Sequence, residues 1–320
     1  MKISIVIPAF NEESSLPFLK GRLTTTLAGL PMEREIIVVN DGSTDRTGEI
    51  VKDWIEQDAS VILIELSRNF GHQQAITAGL HESTGDCVVI LDADLQDPPE
   101  EIHAMVQKWN EGCKVVFAER TGRMEPIHRR LLFAAFYKFF LLLSDLPVII
   151  QSGVFSLMDR AVVNHLLNMK ERNRFIPGMQ GWLGFKTATI YYQRQDRLTG
   201  RPKQSLKRLT AYALDAVFSF SYKPLRLSFL AGIMTTAFFF AYGAVLVVMR
   251  LLNINVVRGF TTPTVAIFFI GGLMLISNGI TGEYVARIYD EVKNRPLFIL
   301  SRKVYRNREG KLIEQEPPAL

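Results

Sequence analysis

Short apolar runs alternate with helix-like stretches through the first third of the chain. The runs Ile3–Ala9, Glu35–Asn40, Val61–Leu66, Cys87–Leu91 and Val115–Ala118 are separated by stretches 12–29, 44–57, 72–81 and 98–110. Strands that alternate with helices predict an α/β fold with a mostly parallel, doubly wound sheet. Ligands of such sheets sit beyond the carboxyl ends of the strands. Polar clusters fall at those ends: AFNEE at 9–13, NDGSTD at 40–45, SRNFGH at 67–72 and DADLQD at 92–97. Ordinary loop polarity does not explain four clusters in succession. Together they deliver Asn11, Glu12, Asp41, Arg68, Asn69, Asp92 and Asp94 to one rim.

After residue 222 the pattern changes. Leu227–Met249 and Gly259–Gly282 carry no charge, and each exceeds the ~20 residues that a helix needs to span a bilayer. Arg226 and Arg250 bracket the first run, which suits a span better than a buried core helix. The short link 250–258 predicts a hairpin, so both outer flanks lie on one side. Lys223, Arg226, Arg287, Lys293, Arg295, Arg302 and Lys303 outnumber Arg250 and Arg258, which makes that side the cytoplasm. The chain starts MKISIVIPAF and enters a strand directly, with no signal peptide. A multi-pass protein of the cytoplasmic membrane is expected, with its large N-terminal part and both termini in the cytoplasm. Composition agrees: 48% hydrophobic residues is above a typical soluble protein and below a polytopic channel. Cys87 and Cys113 have no metal-ligand spacing and fit core positions in a reducing compartment.

Two further stretches suggest contact with the membrane surface. Residues 128–146, HRRLLFAAFYKFFLLLSDL, are apolar but too short to span, with Lys138 inside them, and predict an interfacial amphipathic helix. Residues 205–225 predict a second. The expected organisation is a soluble α/β domain over 1–204 that includes the interfacial helix near 128–146, a juxtamembrane amphipathic helix over 205–226, a two-helix transmembrane hairpin over 227–286 and a basic cytosolic tail over 287–320. The tail sequence SRKVYRNREGK suits either lipid or a neighbouring subunit, so a homo-oligomer stays open.

The candidate chemistry centres on LDADLQDPPE, residues 91–100. Burying carboxylates at a strand end costs several kcal/mol or more, on the order of a lost ion pair, unless something positive meets them. Asp92, Asp94 and the Gln96 carbonyl can surround one hard cation, and oxygen ligands suit Mg²⁺ or Mn²⁺. Mg²⁺ is usually held by one or two carboxylates plus substrate phosphates, which points to a bridged diphosphate. Pro98-Pro99-Glu100 then opens a helix, since proline suits a first turn. No GxGxxG follows the first strand and no GxxxxGK[ST] occurs anywhere, so the dinucleotide fingerprint and the P-loop are absent. Nucleic acid is not an expected partner.

Read together, VIPAFNEE, VVNDGSTDRT, SRNFGHQQAITAGL and LDADLQDPPE resemble the family 2 glycosyltransferases with the GT-A fold. The later SGVFSLMDR, ERNRFIPG and GEYVARIYDEVKNRPLFIL narrow the resemblance to polyprenyl-phosphate glycosyltransferases, such as dolichyl-phosphate mannose synthase relatives and bactoprenol glucosyltransferases. The motifs keep their order and spacing through about residue 300. The resemblance implies a nucleotide sugar donor, with UDP as the expected nucleotide, held by Pro8, Asn11, Glu12, Asp41, Arg68 and Asn69. A carboxylate there suits the N3–H of uracil. It implies that Asp92 and Asp94 are the catalytic acids and, with Gln96, hold Mg²⁺ or Mn²⁺ on the diphosphate. The implied acceptor is undecaprenyl or another polyprenyl phosphate. The segment 194–208, RQDRLTGRPKQSLKR, has six basic residues and one acid just before the spans. The family pattern favours Arg197 and Lys203 there as phosphate contacts, with Arg120 and Arg123 as further candidates. Two helices are too few for an evident translocation path, so a separate flippase is expected downstream.

One position departs from the family pattern. Many relatives carry an acid where this chain has Val154, in GVFSLM. An alcohol acceptor needs a base to take its proton. A phosphate monoester, with a second pKa of about 6, is already mostly dianionic at neutral pH. The valine therefore fits a phosphate acceptor. Asp159 follows, but at a helix start, where it is expected to cap. Two alternatives remain: a non-catalytic sugar-nucleotide-binding scaffold, supported only by Val154, and a processive polysaccharide synthase, opposed by the absence of QxxRW.

Overall fold

The computed structural model describes residues 1–121, 153–193, 222–252, 261–307 and 309–316. These residues fall into two units. The first is built from 1–121, 153–193 and the returning segment 295–316, and the second from 222–252 and 261–294.

The first unit begins with four β–α repeats: β1 (Lys2–Ala9), α1 (Leu16–Ala28), β2 (Glu33–Asn40), α2 (Thr47–Gln57), β3 (Val61–Leu66), α3 (His72–Glu82), β4 (Cys87–Ile90), then a 3₁₀ turn (Pro99–Glu101) leading into α4 (Ile102–Asn110). It continues with β5 (Val115–Thr121), β6 (Ser156–Asp159), α5 (Arg160–Asn168), α6 (Ile176–Trp182) and β7 (Thr187–Gln193). Two late strands, β8 (Leu300–Arg306) and β9 (Leu312–Gln315), join the same sheet, which among the described residues has nine strands in the order β7-β5-β6-β4-β1-β2-β3-β8-β9.

The expected parallel sheet forms its centre, with β4, β1, β2 and β3 all parallel. Both faces of these strands are covered, which is why they read as continuous apolar runs. Along β2, Ile36 and Val38 pack on one face with Leu19, Leu23 and Trp54, while Ile37 and Val39 pack on the other with Ala75 and Ala78 of α3.

Two features lie beyond the sequence expectation. Strand β6 inserts antiparallel between β4 and β5, so β5 is not a neighbour of β4. The basic segment expected as a tail returns to the sheet: β8 pairs antiparallel with β3, and β9 with β8. Its charges meet acids of its own unit. Arg302 pairs with Glu65, Lys303 with Glu82 at 2.7 Å, and Glu314 with Lys52 at 2.9 Å. Val304 is fully buried in the core. The hairpin thereby covers the β3 edge, which would otherwise offer unpaired main-chain groups.

The second unit contains α7 (Lys223–Leu251) and α8 (Thr261–Lys293). Segments Lys223–Val245 and Val265–Lys293 have mean hydropathies of 1.6 and 1.8 and are long and apolar enough to cross a membrane. Phe229, Phe240, Ile267 and Leu275 are left exposed by the protein itself. Each such side chain forfeits about 1.5–3 kcal/mol if it faces water, so the surfaces of these helices suit lipid. The expected amphipathic helix at 128–146 and residues 205–221 of the one expected at 205–226 lie outside the described residues, as do Arg123, Arg197 and Lys203, while residues 223–226 form the first turn of α7.

Candidate functional site

Strands β1 and β4 part before β1 ends. Their pairing stops at Val6 and Ile90, closed by a bond from the Leu91 N–H to the Val6 carbonyl at 3.0 Å. Pairing of β1 with β2 continues to Ala9 and Asn40. The strand order reverses direction at this point, which is where α/β sheets bind ligands. Even-numbered β1 residues face β4, as the Val6 carbonyl shows, and Ala9 faces β2, accepting from the Asp41 N–H at 2.9 Å. The N–H that Pro8 lacks would therefore point where β4 has already left the sheet. A proline is tolerated in this central strand for that reason. The gap opens into a cavity of about 180 Å³ lined by Pro8, Ala9, Phe10, Glu12, His72, Asp92, Ala93 and Asp94.

The DADLQD turn shapes one wall of the cavity. Asp94 Oδ1 accepts from the Gln96 N–H at 3.1 Å, closing an Asx-type turn. Leu95 adopts φ 61°, unusual for a branched residue, and its side chain is anchored in the core. Asp92 Oδ1 is buried and has no hydrogen-bond partner among the described residues. The nearest ion-pairing group is His72 Nε2 at 3.4 Å, from the first residue of α3. Burial pushes the Asp92 carboxyl up to about 6, Asp97 and Asp94 add to the rise, and His72 and Arg120 oppose it. Among the described residues no group of three or more His, Cys, Asp or Glu side chains forms a metal cage. A lone buried carboxylate oxygen beside a second acid fits an ion that draws its other ligands from phosphate. His72 stands in the SRNFGH cluster, but no motif singles it out.

The loops after β1, β2 and β3 are tied to one another. Asn11, at φ 55°, donates its N–H to Ser43 Oγ at 3.0 Å and accepts from the Thr44 N–H at 2.8 Å. The Glu12 N–H donates to Thr47 Oγ1 at 2.9 Å, and its carboxylate accepts from Ser15 Oγ at 2.6 Å. Asp41 is 3% exposed, and its two oxygens accept from the Phe70 N–H at 2.7 Å and the Gly71 N–H at 2.9 Å. Burial raises the Asp41 pKa against these two bonds. Gly42, at φ +68°, sits so close that a Cβ would lie 2.5 Å from the Arg68 carbonyl carbon. Arg68 and Asn69 are exposed on the rim, and the Arg68 guanidinium stacks 4.1 Å from the Phe70 ring centre. Of the residues expected to hold a nucleoside, Pro8 and Glu12 line the cavity, while Asn11 and Asp41 fasten loop to loop.

Asp97 is fully buried, and its charge is met by Arg120 of β5 at 3.3 Å. The same oxygen accepts from the Tyr192 hydroxyl of β7, and Arg120 Nε donates to the Tyr192 oxygen at 3.0 Å. Arg120 is thus an ion-pair partner of Asp97, which the sequence alone did not indicate. The register that pairs Ile90 with Ser156, continued outward, brings Val154 level with Asp92. Asp159 lies at the opposite end of β4, paired with Cys87. There it caps α5 by accepting from the Ala161 N–H at 3.0 Å, and it holds Lys114 and Trp109 Nε1, each at 2.9 Å. It is a structural residue, as its sequence position suggests.

The family model for glycosyl transferase family 2 matches residues 4–167, a span containing all four rim clusters and β6. Relatives match nearly end to end. The uncharacterized glycosyltransferase YkcC of Bacillus subtilis is 39% identical over 303 residues, covering 94% of each chain. The SfII prophage-derived bactoprenol glucosyl transferase of Shigella flexneri is 38% identical, covering 94% of this chain and 98% of its own. The prophage bactoprenol glucosyl transferase homolog of Escherichia coli is 37% identical, covering 94% and 99%. A mixed sheet of the GT-A type with a parallel centre, a carboxylate pair at the parting of β1 and β4, and matches of this length have one reading: the chain belongs to glycosyl transferase family 2.

Proposed function

We propose that this enzyme moves a single sugar from a nucleotide sugar, with UDP as the nucleotide, to a polyprenyl phosphate such as undecaprenyl phosphate. One observation carries the reading: Asp92 presents a buried carboxylate oxygen without a donor among the described residues, beside Asp94, at the mouth where β1 and β4 part. The bactoprenol names of the relatives supply the acceptor class, and the two apolar helices suit an enzyme whose acceptor stays in a bilayer.

In this reading Asp92, Asp94 and the Gln96 carbonyl hold Mg²⁺ or Mn²⁺, and Asp92 and Asp94 are the catalytic acids. When bound, the ion stabilises the charge that builds on the departing nucleoside diphosphate. Pro8 and Glu12 line the donor cavity, Arg68 and Asn69 border it, and Asn11 and Asp41 hold its loops in place. Asp41 reaches a base only through its unused lone pairs or by release of residues 70–71. Arg120, Arg123, Arg197 and Lys203 serve the acceptor phosphate. That phosphate is itself the nucleophile, so Val154 removes no required base. Direct in-line displacement inverts the anomeric centre. The catalytic domain and both termini face the cytoplasm, by the Lys and Arg bias of the flanks, and a separate protein flips the product. The scaffold alternative is disfavoured because the carboxylate crevice is intact.

The test uses the purified full chain in detergent with Mn²⁺ or Mg²⁺, undecaprenyl phosphate and a panel of radiolabelled UDP-sugars. Metal-dependent label in the extracted lipid from one sugar is expected. Label from none, with nucleotide binding intact, would overturn the reading.

A further inference from the structure

The Asp97–Tyr192–Arg120 cluster does more than neutralise a buried acid. Arg120 has two of its sides fixed: Nε by the Tyr192 oxygen at 3.0 Å and Nη2 by Asp97 at 3.3 Å. A guanidinium carries five N–H donors in a rigid fork, so fixing two directions orients the remainder. The side chain is 31% exposed, which leaves part of that fork open. Against it lies Gly153, where a Cβ would come 3.4 Å from Arg120 Nη2. The next residue is Val154, so this part of the segment brings no acid to compete for the guanidinium. The charge of Arg120 is felt at Asp92. The arginine is therefore tied through Asp97 to the DADLQD turn that carries Asp92 and Asp94, held in orientation by two side chains and partly exposed. Tyr192 packs edge-on against Phe155, with ring centres 5.8 Å apart, which fixes the hydroxyl in turn.

We propose that Asp97 and Tyr192 are positioning residues that aim Arg120 at the phosphate of the acceptor. The inference rests on the reading of the acceptor as a lipid phosphate. A planar fork held at fixed orientation binds a phosphate by paired charge-assisted bonds, whereas a swinging one loses affinity on ordering. The effect belongs to acceptor binding, not to the donor or the metal.

The experiment measures steady-state transfer by the full chain, varying undecaprenyl phosphate and the UDP-sugar separately. Tyr192→Phe removes one oxygen and keeps the ring. It is expected to raise the acceptor KM about five-fold, the scale of one lost hydrogen bond, while the donor KM and the metal requirement stay as they are. Asp97→Asn keeps the shape and loses the charge, and is expected to raise the acceptor KM by about ten-fold or more. Arg120→Lys keeps the charge without the fork and should match Asp97→Asn. An unchanged acceptor KM in Tyr192→Phe would overturn the proposal. So would a parallel shift of acceptor KM, donor KM and melting temperature, which marks a merely structural role. If Asp97→Asn fails to fold, Tyr192→Phe decides alone. Failure of the unaltered enzyme to label any lipid phosphate would remove the proposed function and this inference together, whereas a working enzyme indifferent to Tyr192→Phe would remove the inference only.

Discussion

The two halves of the rim are built differently. After β1, β2 and β3, polar side chains are tied to the main chain of the neighbouring loop: Asn11 to Thr44, Thr47 to Glu12, Asp41 to Phe70 and Gly71. After β4, Asp92 Oδ1 and Asp97 Oδ2 are buried without a hydrogen-bond partner among the described residues, and Arg120 is held by the side chains of Tyr192 and Asp97. Nearly all buried polar atoms in folded proteins are paired, so the exceptions call for an explanation. The difference separates a frame from a reactive wall. The first half satisfies itself and fixes the loops. In the proposed reading the second is completed by a cation and phosphates.

That contrast can be broken from either side. The largest effect is expected at the reactive wall. Asp94→Ala and Asp92→Asn should each abolish transfer, measured as label in the lipid, because in the proposed reading both carboxylates hold the ion. Stability should move the other way for Asp92. Burial pushes its carboxyl up to about 6, above its ordinary value. Its stabilising contribution is full below the ordinary carboxylate range and is lost as pH rises through about 6. At pH 7.5 the metal-free Asp92→Asn protein should therefore melt no lower than the unaltered one. A lower melting temperature would place Asp92 in the frame.

The frame should respond in the opposite sense. Asp41→Ala leaves the Phe70 and Gly71 N–H groups without acceptors and is expected to cost about 2–4 kcal/mol of stability, read by denaturant unfolding in detergent. A smaller effect is the pH dependence of the metal. Binding needs ionised Asp92, so affinity for Mn²⁺ should be constant above about 6 and fall about ten-fold per pH unit below it. Affinity flat down to pH 4.5 would contradict this. The smallest effect is Val154→Asp, expected to leave kcat within about two-fold, because a phosphate acceptor is already ionised. A large gain would mean that the acceptor needs a base.

Much of this arrangement was legible in the sequence, and the exceptions have physical causes. The centre of the sheet was, because strands buried on both faces read as unbroken apolar runs bounded by polar clusters. Strand β6 was not: Ser156–Asp159 has four residues and passes straight into a helix. Strand β8 was hidden by its cations, which resemble a solvated tail until Glu65 and Glu82 are seen opposite them. The partners of Asp97 lie 23 and 95 residues away, on strands adjacent only in the folded sheet. Asp41 shows the converse. Its motif was plain, yet whether its oxygens face a ligand or the next loop depends on packing that no motif encodes.

The central claim is that the β4 side of the rim is completed by a cation shared with a diphosphate. Calorimetric titration of UDP into the detergent-solubilised full chain, with and without Mn²⁺, for the unaltered protein and Asp92→Asn, tests it most directly. Binding is expected to require Mn²⁺ and to be lost in Asp92→Asn. Binding of equal affinity without the metal, or undiminished in Asp92→Asn, would contradict it.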